Sequence, residues 1–306
     1  MEDNEIIQNS EPIKKRRGMD RIGMVCLMAL LLLLLGEIFG LPVSLLCGRL
    51  TESRPDWYTV LSYAQTIGTW IAILGFMALY KPDRALFGKL LPGGGNTVKN
   101  LLIGLAAGFV TNGICVLVSV LRGDIYLHLE PANVLIMLAA FAAVMIQSGS
   151  EELACRVYMQ QHLIRGYPSP LVQILVPALM FMALHLFNPG ITPLAAVNIA
   201  VIGAAYSLVI YYFDSFWMTV GIHTMWNYTQ NIIFGLPNSG MVMPFSMFKL
   251  DAATGTTAIA YDPRFGVEGS VLALLVNIAL CGLIVYFGRR KKNEEAGAVL
   301  PAPAEE

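Results

Sequence analysis

Long runs of apolar residues, separated by short polar segments, dominate the chain. A helix needs about 20 apolar residues to cross the ~30 Å hydrocarbon layer of a membrane, and eight runs come close to or exceed that length. The runs are continuous rather than alternating, which favours helices over the strands of a membrane barrel. We therefore predict an all-α, polytopic membrane helical bundle with about eight transmembrane helices, at residues 22–46, 57–80, 98–121, 132–165, 169–187, 194–213, 215–235 and 269–288.

The basic residues predict the orientation of the bundle. With a cytoplasmic N-terminus, the inside segments hold 14 Lys and Arg residues and the outside segments hold 5. Such an excess is typical of cytoplasmic segments, so we expect both termini in the cytoplasm. The division is a basic tail (1–21), a transmembrane domain (22–288) and a second tail (289–306). The longest loop, 236–268, is expected outside as a solvated connector.

Composition narrows the class of protein. The chain is 56% hydrophobic and 13% charged, whereas an average soluble domain is about 25% charged. A chain with so few charges could not cover its surface in water, which excludes an ordinary soluble protein, a disordered chain and a nucleic-acid binder. The lipid bilayer is therefore the expected partner.

Ionisable residues inside the predicted spans are costly and indicate function. In the fourth span Glu152 and Arg156 lie about 40° apart on a helix, whereas Glu151 lies about 140° from Arg156. The arginine can neutralise Glu152 and leave Glu151 free to act as a base. The alternative is a buried ion-pair network that braces the bundle. The second half of this long span is amphipathic, and we expect it along the membrane interface. Glu37 stands alone in the first span and is not assigned to a site.

Two later spans carry histidines. His185 follows Phe181 by four residues, and Asn227 follows His223 by four, so each pair shares a helix face. Residue counting slightly favours a meeting point in the cytoplasmic half. Carboxylate, imidazole and amide groups can activate a water and stabilise an oxyanion. Glu151, His185 and His223 could also bind a divalent metal such as zinc. The other histidines, His128 and His162, are expected at the surface.

The three motifs in this order, E-E-x-x-x-R, F-x-x-x-H and H-x-x-x-N within residues 130–235, resemble the CPBP family of intramembrane proteases. This family of CAAX proteases and bacteriocin-processing proteins, also called Abi, is related to the type II CAAX prenyl endopeptidase. The resemblance implies an endopeptidase site in an intramembrane cavity. By position, Glu151 would be the catalytic base, His185 its partner in activating water, and His223 and Asn227 the oxyanion donors. Glu152 and Arg156 would orient Glu151, with Phe181 in support. A metal is left open by the resemblance.

Two other classes of protein remain open. Buried Glu, Arg and His also serve the ion pathways of transporters, and a catalytically silent scaffold or immunity protein would keep them only for stability. For the protease we expect a peptide or membrane-protein substrate, whether prenylated or not, and the plasma membrane of a bacterium. The sequence leaves the oligomeric state open.

Overall fold

A computed structural model describes residues 18–50 and 53–299, with side chains up to residue 294. Within these residues the helices are α1 (Ile22–Gly48), α2 (Pro55–Ala64), α3 (Ile67–Leu79), α4 (Val98–Leu121), α5 (Val134–Glu152), α6 (Gln161–Gly166), α7 (Pro170–His185), α8 (Pro193–Phe213), α9 (Phe216–Asn227) and α10 (Val271–Val299). Two π-helices, Leu153–Gln160 and Tyr228–Ile233, continue α5 and α9, and the strands are β1 (Ile125–Leu129) and β2 (Phe248–Ala253).

The predicted all-α polytopic bundle is confirmed. Among the described residues, six helical segments are long and apolar enough to cross a membrane: Ile22–Gly48, Pro55–Leu79, Val98–Leu121, Val134–Gly166, Pro193–Phe213 and Val271–Glu294. The other two predicted spans form shorter helices. One is α7, with 16 residues, and the other is α9 followed by its π-helix. The total of eight spans therefore stays a prediction, and so does the cytoplasmic position of the termini.

Polar side chains fix where several helices begin. The side chains of Thr97, Asn133, Thr192 and Ser215 each accept a hydrogen bond from a backbone N–H in the first turn of α4, α5, α8 and α9. Such caps satisfy N–H groups that have no partner within the helix. Asp214 is left-handed, with φ 47°, and it ends α8 directly before the cap of α9. The chain therefore turns back in two residues, which packs α9 against its neighbours.

Glycines let α4 and α9 pack in close contact. A Cβ at Gly104 would collide with the carbonyl oxygen of Met218, and a Cβ at Gly108 with that of Ile222. On the facing helix, a Cβ at Gly221 would lie 2.8 Å from the carbonyl oxygen of Leu101. Small residues four apart are typical of tightly packed membrane helices. This contact fixes the position of α9, the helix that carries His223.

From the sequence we expected the loop 236–268 to be a solvated connector. In the structure it contains a strand and several buried residues. Its strand β2 pairs antiparallel with β1, with Leu127 opposite Leu250 and His128 opposite Lys249. Residues Tyr261, Phe265 and Val267 at its far end are fully or almost fully buried. The prediction missed this because the loop lacks a long apolar run, and its buried residues find their partners only in the folded bundle. His128 is exposed, as predicted.

The prediction that His162 lies at the surface is wrong. Its ring is fully buried between Asp20 and Asp83, with Nδ1 2.7 Å from Asp20 and Nε2 3.0 Å from Asp83. Arg165 also contacts Asp83, at 2.9 Å. Burial raises the pKa of Asp83, but hydrogen bonds from His162 and Arg165 outweigh it, so that this pKa lies below its ordinary value. The cluster joins three segments of the chain: the residues directly before α1, the segment that follows α3, and α6 itself.

The second half of the fourth predicted span is buried on all sides, whereas a helix along the membrane interface would expose its polar face. Residues 153–163 are all buried within the bundle. The polar face of this segment packs inward, because Arg156 and Gln160 donate hydrogen bonds to backbone carbonyl groups of α8. Residues 1–17 of the predicted N-terminal tail and 300–306 of the C-terminal tail lie outside the described residues. The division into tails and transmembrane domain stays a prediction.

Candidate active site

A buried ion pair lies at the junction of α5 and the first π-helix. Arg156 Nε is 3.1 Å from Glu152 Oε2, and both side chains are completely buried. Arg156 Nη2 also donates to the carbonyl oxygen of Gly203 on α8, at 2.8 Å. The guanidinium carbon lies 5.0 Å from the ring centre of Phe181 and 5.2 Å from that of Tyr206. Ring faces attract a cation, so these aromatic contacts add to the ion pair.

His223 on α9 lies between the two adjacent glutamates. Its Nδ1 is 2.9 Å from Glu152 Oε1, and its Nε2 is 3.6 Å from Glu151 Oε2. The ring of Tyr206 stacks on the imidazole, with centres 5.1 Å apart and planes at 22°. The bond to Glu152 fixes the orientation of the imidazole and leaves Nε2 facing Glu151. Glu152 is thus held by Arg156 and in turn holds His223.

His185 ends α7 and lies on the same cavity as Glu151. Its Nδ1 is 2.7 Å from the carbonyl oxygen of Phe181, and the two rings are 4.7 Å apart. Within the described part of the chain, the structure records no hydrogen bond between His185 and Glu151. His223 is therefore the histidine that contacts Glu151, whereas the resemblance paired that residue with His185. Their shared cavity still allows both to face one substrate.

The first of the two π-helices begins directly after Glu152 and the second directly after Asn227. A π-helix inserts an extra residue into the helical turn and is frequent at functional sites. Each transition from α-helix to π-helix therefore directly follows a residue of the candidate site. The π-helices were not predicted, because a regular helix with 100° per residue was assumed throughout.

The candidate site lies in a cavity of about 690 Å³. Its described lining includes Glu37, Glu151 and Glu268, which we call the cavity glutamates, and it includes no lysine or arginine. It also includes Phe181, His185, Tyr206, His223 and Asn227. The lining reaches Gly48 at the end of α1, Tyr58 at the start of α2 and the exposed Met241. This is the end of the bundle predicted to face outside, opposite to the slight preference from residue counting.

Sequence reasoning missed four residues around the site: Gln147, Tyr206, Asn238 and Glu268. Gln147 lies four residues before Glu151, so helical spacing alone was a usable signal. Tyr206 lies in an apolar run and had no signal. Asn238 and Glu268 fall in the predicted outer loop and reach the cavity only through the fold. Glu37 also lines the cavity, although its isolated position in the first span did not predict this.

The placed side chains do not fit a resident metal. Among the described residues, no group of three or more His, Cys, Asp or Glu side chains is arranged to hold a metal ion. The proposed set Glu151, His185 and His223 is therefore not assembled as a ligand set.

Fold and site together define a multi-pass membrane protein with a polar, carboxylate-lined cavity inside its helical bundle. A family model described as type II CAAX prenyl endopeptidase Rce1-like matches residues 132–229. The matched segment, about a third of the chain, contains all three motifs. It confirms the resemblance to the CAAX protease family and, at the family level, indicates a protease. Neither the curated proteins nor the solved structures gave a match.

Proposed function

We propose that the chain is an intramembrane endopeptidase that cleaves peptide bonds with a water activated by Glu151. The observation that carries the proposal is the meeting of Glu151, His223 and Asn227 on one cavity within the bundle. A carboxylate can activate a water as general base, and an imidazole and an amide can donate hydrogen bonds to the oxyanion formed during peptide-bond hydrolysis. The matched family supports the reaction class.

In the proposed reaction, Glu151 takes a proton from a water molecule held in the cavity. The water oxygen attacks the carbonyl carbon of the scissile bond and forms a tetrahedral intermediate. His223, held through Nδ1 by Glu152, donates from Nε2 to the oxyanion, and Asn227 donates from Nδ2. Glu151 then passes its proton to the leaving amine, and the C–N bond breaks. His185 lies on the cavity wall as a second contact for the water.

The ion pair of Glu152 with Arg156 supports this reaction indirectly. Glu152 fixes the ring of His223, and Arg156 neutralises the charge of Glu152 in the low-dielectric interior. Glu151 is about a quarter exposed, whereas Glu152 is fully buried. Glu151, the more exposed acid and the one that lines the cavity, is therefore proposed as the base.

The lining of the cavity supports a route of entry for the substrate. Gly48, Tyr58 and Met241 lie at the end of the bundle that the basic residues predict to be outside. We propose that a peptide or a membrane-protein segment enters from that side. The leucine-rich spans and compact size favour the plasma membrane of a bacterium as the location.

The proposed function is tested with protein purified in detergent. The probes are synthetic quenched fluorescent peptides, some with a farnesylated C-terminal CAAX motif and some unprenylated, and cleavage sites are mapped by mass spectrometry. We expect Glu151→Gln to lower kcat at least 100-fold, because general base catalysis contributes about 10²–10⁴. The matched control is Glu294→Gln, which replaces an exposed glutamate outside the cavity. Unchanged cleavage by Glu151→Gln would refute the assignment.

A transporter remains a second candidate, because Glu37 lies on the same cavity as Glu151. Membrane carboxylates that share an aqueous cavity are typical of ion pathways. This candidate predicts ion flux in proteoliposomes that both Glu37→Gln and Glu151→Gln reduce. Flux without peptide cleavage would favour it over the protease.

A further inference from the structure

A continuous chain of hydrogen bonds joins Glu151 to Glu268. Gln147 Nε2 donates to Glu151 Oε1 at 2.6 Å, and Gln147 Oε1 accepts from Asn227 Nδ2 at 3.2 Å. Asn227 Oδ1 accepts from Asn238 Nδ2 at 3.2 Å, and the same nitrogen donates to Glu268 Oε1 at 3.1 Å. We call these five residues the amide chain. It connects α5, α9, the outer loop and the turn before α10.

The carboxylates at the two ends set the direction of the amide chain. An ionised carboxylate only accepts hydrogen bonds, whereas an amide can be turned over to exchange its oxygen and nitrogen. If Asn227 were turned over, its NH₂ would face the NH₂ of Asn238, and its oxygen would face Oε1 of Gln147. Both contacts would be repulsive. The chain therefore holds the NH₂ of Asn227 on the side of Glu151, with one N–H left for an oxyanion.

Glu268 is a fixed acceptor because several donors face it. Trp226 Nε1 donates to its Oε1 at 2.9 Å, and the backbone N–H of Ser239 donates to its Oε2 at 2.6 Å. Burial raises the pKa of Glu268 above its ordinary value, while the hydrogen bonds from Ser239 and Trp226 act in the opposite direction. Together with Asn238, these donors hold the carboxylate in one orientation.

The loop that carries Asn238 is fastened to the second π-helix. Asn231 Nδ2 donates to the carbonyl oxygens of Leu236 and Met241, at 2.9 and 3.0 Å. The backbone of Asn238 pairs with that of Met241, at 2.9 Å in both directions. The side chain of Asn238 therefore projects from an anchored turn, which lets it orient a neighbour.

We propose that Gln147, Asn238 and Glu268 are positioning residues that orient the amide of Asn227 and the carboxylate of Glu151 for the reaction. This inference rests on the proposed function, because orientation affects rate only if Asn227 and Glu151 take part in catalysis. A residue of the outer loop thereby acts on the reaction through Asn227.

The test compares Gln147→Ala, Asn238→Ala and the double variant on the peptide that the wild-type protein cleaves best. We expect each single variant to lower kcat about tenfold and to leave KM within about twofold. The double variant should also lose about tenfold rather than 100-fold. Once the amide chain is broken at one link, the second break adds little, as in other coupled networks.

Asn96→Ala is the matched control. Asn96 is also buried, and its Nδ2 donates to the carbonyl oxygens of Lys89 and Leu91 at 2.8 and 3.1 Å. It lies at the other end of the bundle and does not line the cavity. We expect this variant to lower the Tm in detergent by about as much as Asn238→Ala, while kcat stays within twofold of wild type.

Thermal unfolding gives a second readout that needs no activity. The Tm losses of Gln147→Ala and Asn238→Ala should sum to more than the loss of the double variant, whereas those of Asn96→Ala and Asn238→Ala should add. Multiplicative effects on kcat together with additive Tm losses would overturn the inference.

If the wild-type protein cleaves none of the peptides, the proposed function fails, and the Tm coupling alone decides whether the amide chain exists. Cleavage abolished by Glu151→Gln but unaffected by Asn238→Ala would overturn the inference and leave the proposed function standing.

Discussion

The ion pair between Glu152 and Arg156 allows a quantitative prediction for Arg156→Met. The two charges lie 3.1 Å apart and are completely buried. At an effective dielectric constant of ~20, their attraction is about 5 kcal/mol. The variant removes that attraction and also the hydrogen bond to Gly203. It leaves a buried carboxylate with only His223 as its partner. Breaking a buried pair by removing one partner costs about 3–5 kcal/mol, so we expect a loss of that size in the free energy of unfolding.

An exposed pair offers a matched control. Arg290 and Glu294 have the same four-residue spacing and lie 2.8 Å apart, but their side chains are about two-thirds exposed. Water screens that pair, and Arg290→Met should cost about 0.5 kcal/mol or less. The measurement is equilibrium unfolding in mixed micelles with increasing dodecyl sulfate, followed by tryptophan fluorescence.

The double variant Glu152→Gln, Arg156→Met separates charge from packing. It removes both charges and keeps a side chain that can hydrogen-bond His223. We expect it to recover more than half of the stability lost by Arg156→Met, because the cost of the single variant comes from the unpaired carboxylate. A loss below about 1 kcal/mol for Arg156→Met would refute this reasoning. A double variant no more stable than the single one would also refute it.

Three further predictions concern the cavity and the end of the bundle that is predicted to face the cytoplasm. In a cysteine-free background, Met241→Cys should react with a membrane-impermeant thiol reagent added to intact cells, whereas Gly88→Cys should react only after lysis. Peptides with an amidated C-terminus should be cleaved faster than the same peptides with a free carboxylate, because the cavity glutamates repel an anion. Asp83 has a lowered pKa, so its contribution to stability should be full above the unfolded pKa of about 4 and be lost as the pH falls through its folded value. When unfolding midpoints are measured at decreasing pH, the midpoint of Asp83→Asn should fall less than that of wild type.

Each of these predictions has an outcome that contradicts it. Labelling of Gly88→Cys but not Met241→Cys in intact cells would reverse the orientation. A strict requirement for the free carboxylate would mean that the cavity glutamates do not set the charge preference. If wild type and Asp83→Asn lost stability equally as the pH falls, the contacts of Asp83 to His162 and Arg165 would not be the cause of that loss.

The sequence predicted the membrane bundle because apolar length is a local property. Each run carries its own tendency to cross the bilayer, and α1 and α4 begin and end within two residues of the predicted limits. Helical spacing likewise predicted the pairing of Glu152 with Arg156, since residues four apart meet on any regular helix. The histidine motifs identified the helices that line the cavity, but their spacing could not show which histidine contacts Glu151.

Contacts between distant segments depend on the fold. Glu268 lies in a loop with no motif, and it reaches the cavity because α10 and the strand pair bring the turn before α10 against α9. His162 is buried because Asp20 and Asp83 converge on it from two other segments. The sequence by itself determined the apolar helices and the chemistry available within each one. Only the tertiary structure decided which polar groups meet, because a buried polar side chain takes whichever partner the packing brings within hydrogen-bond distance.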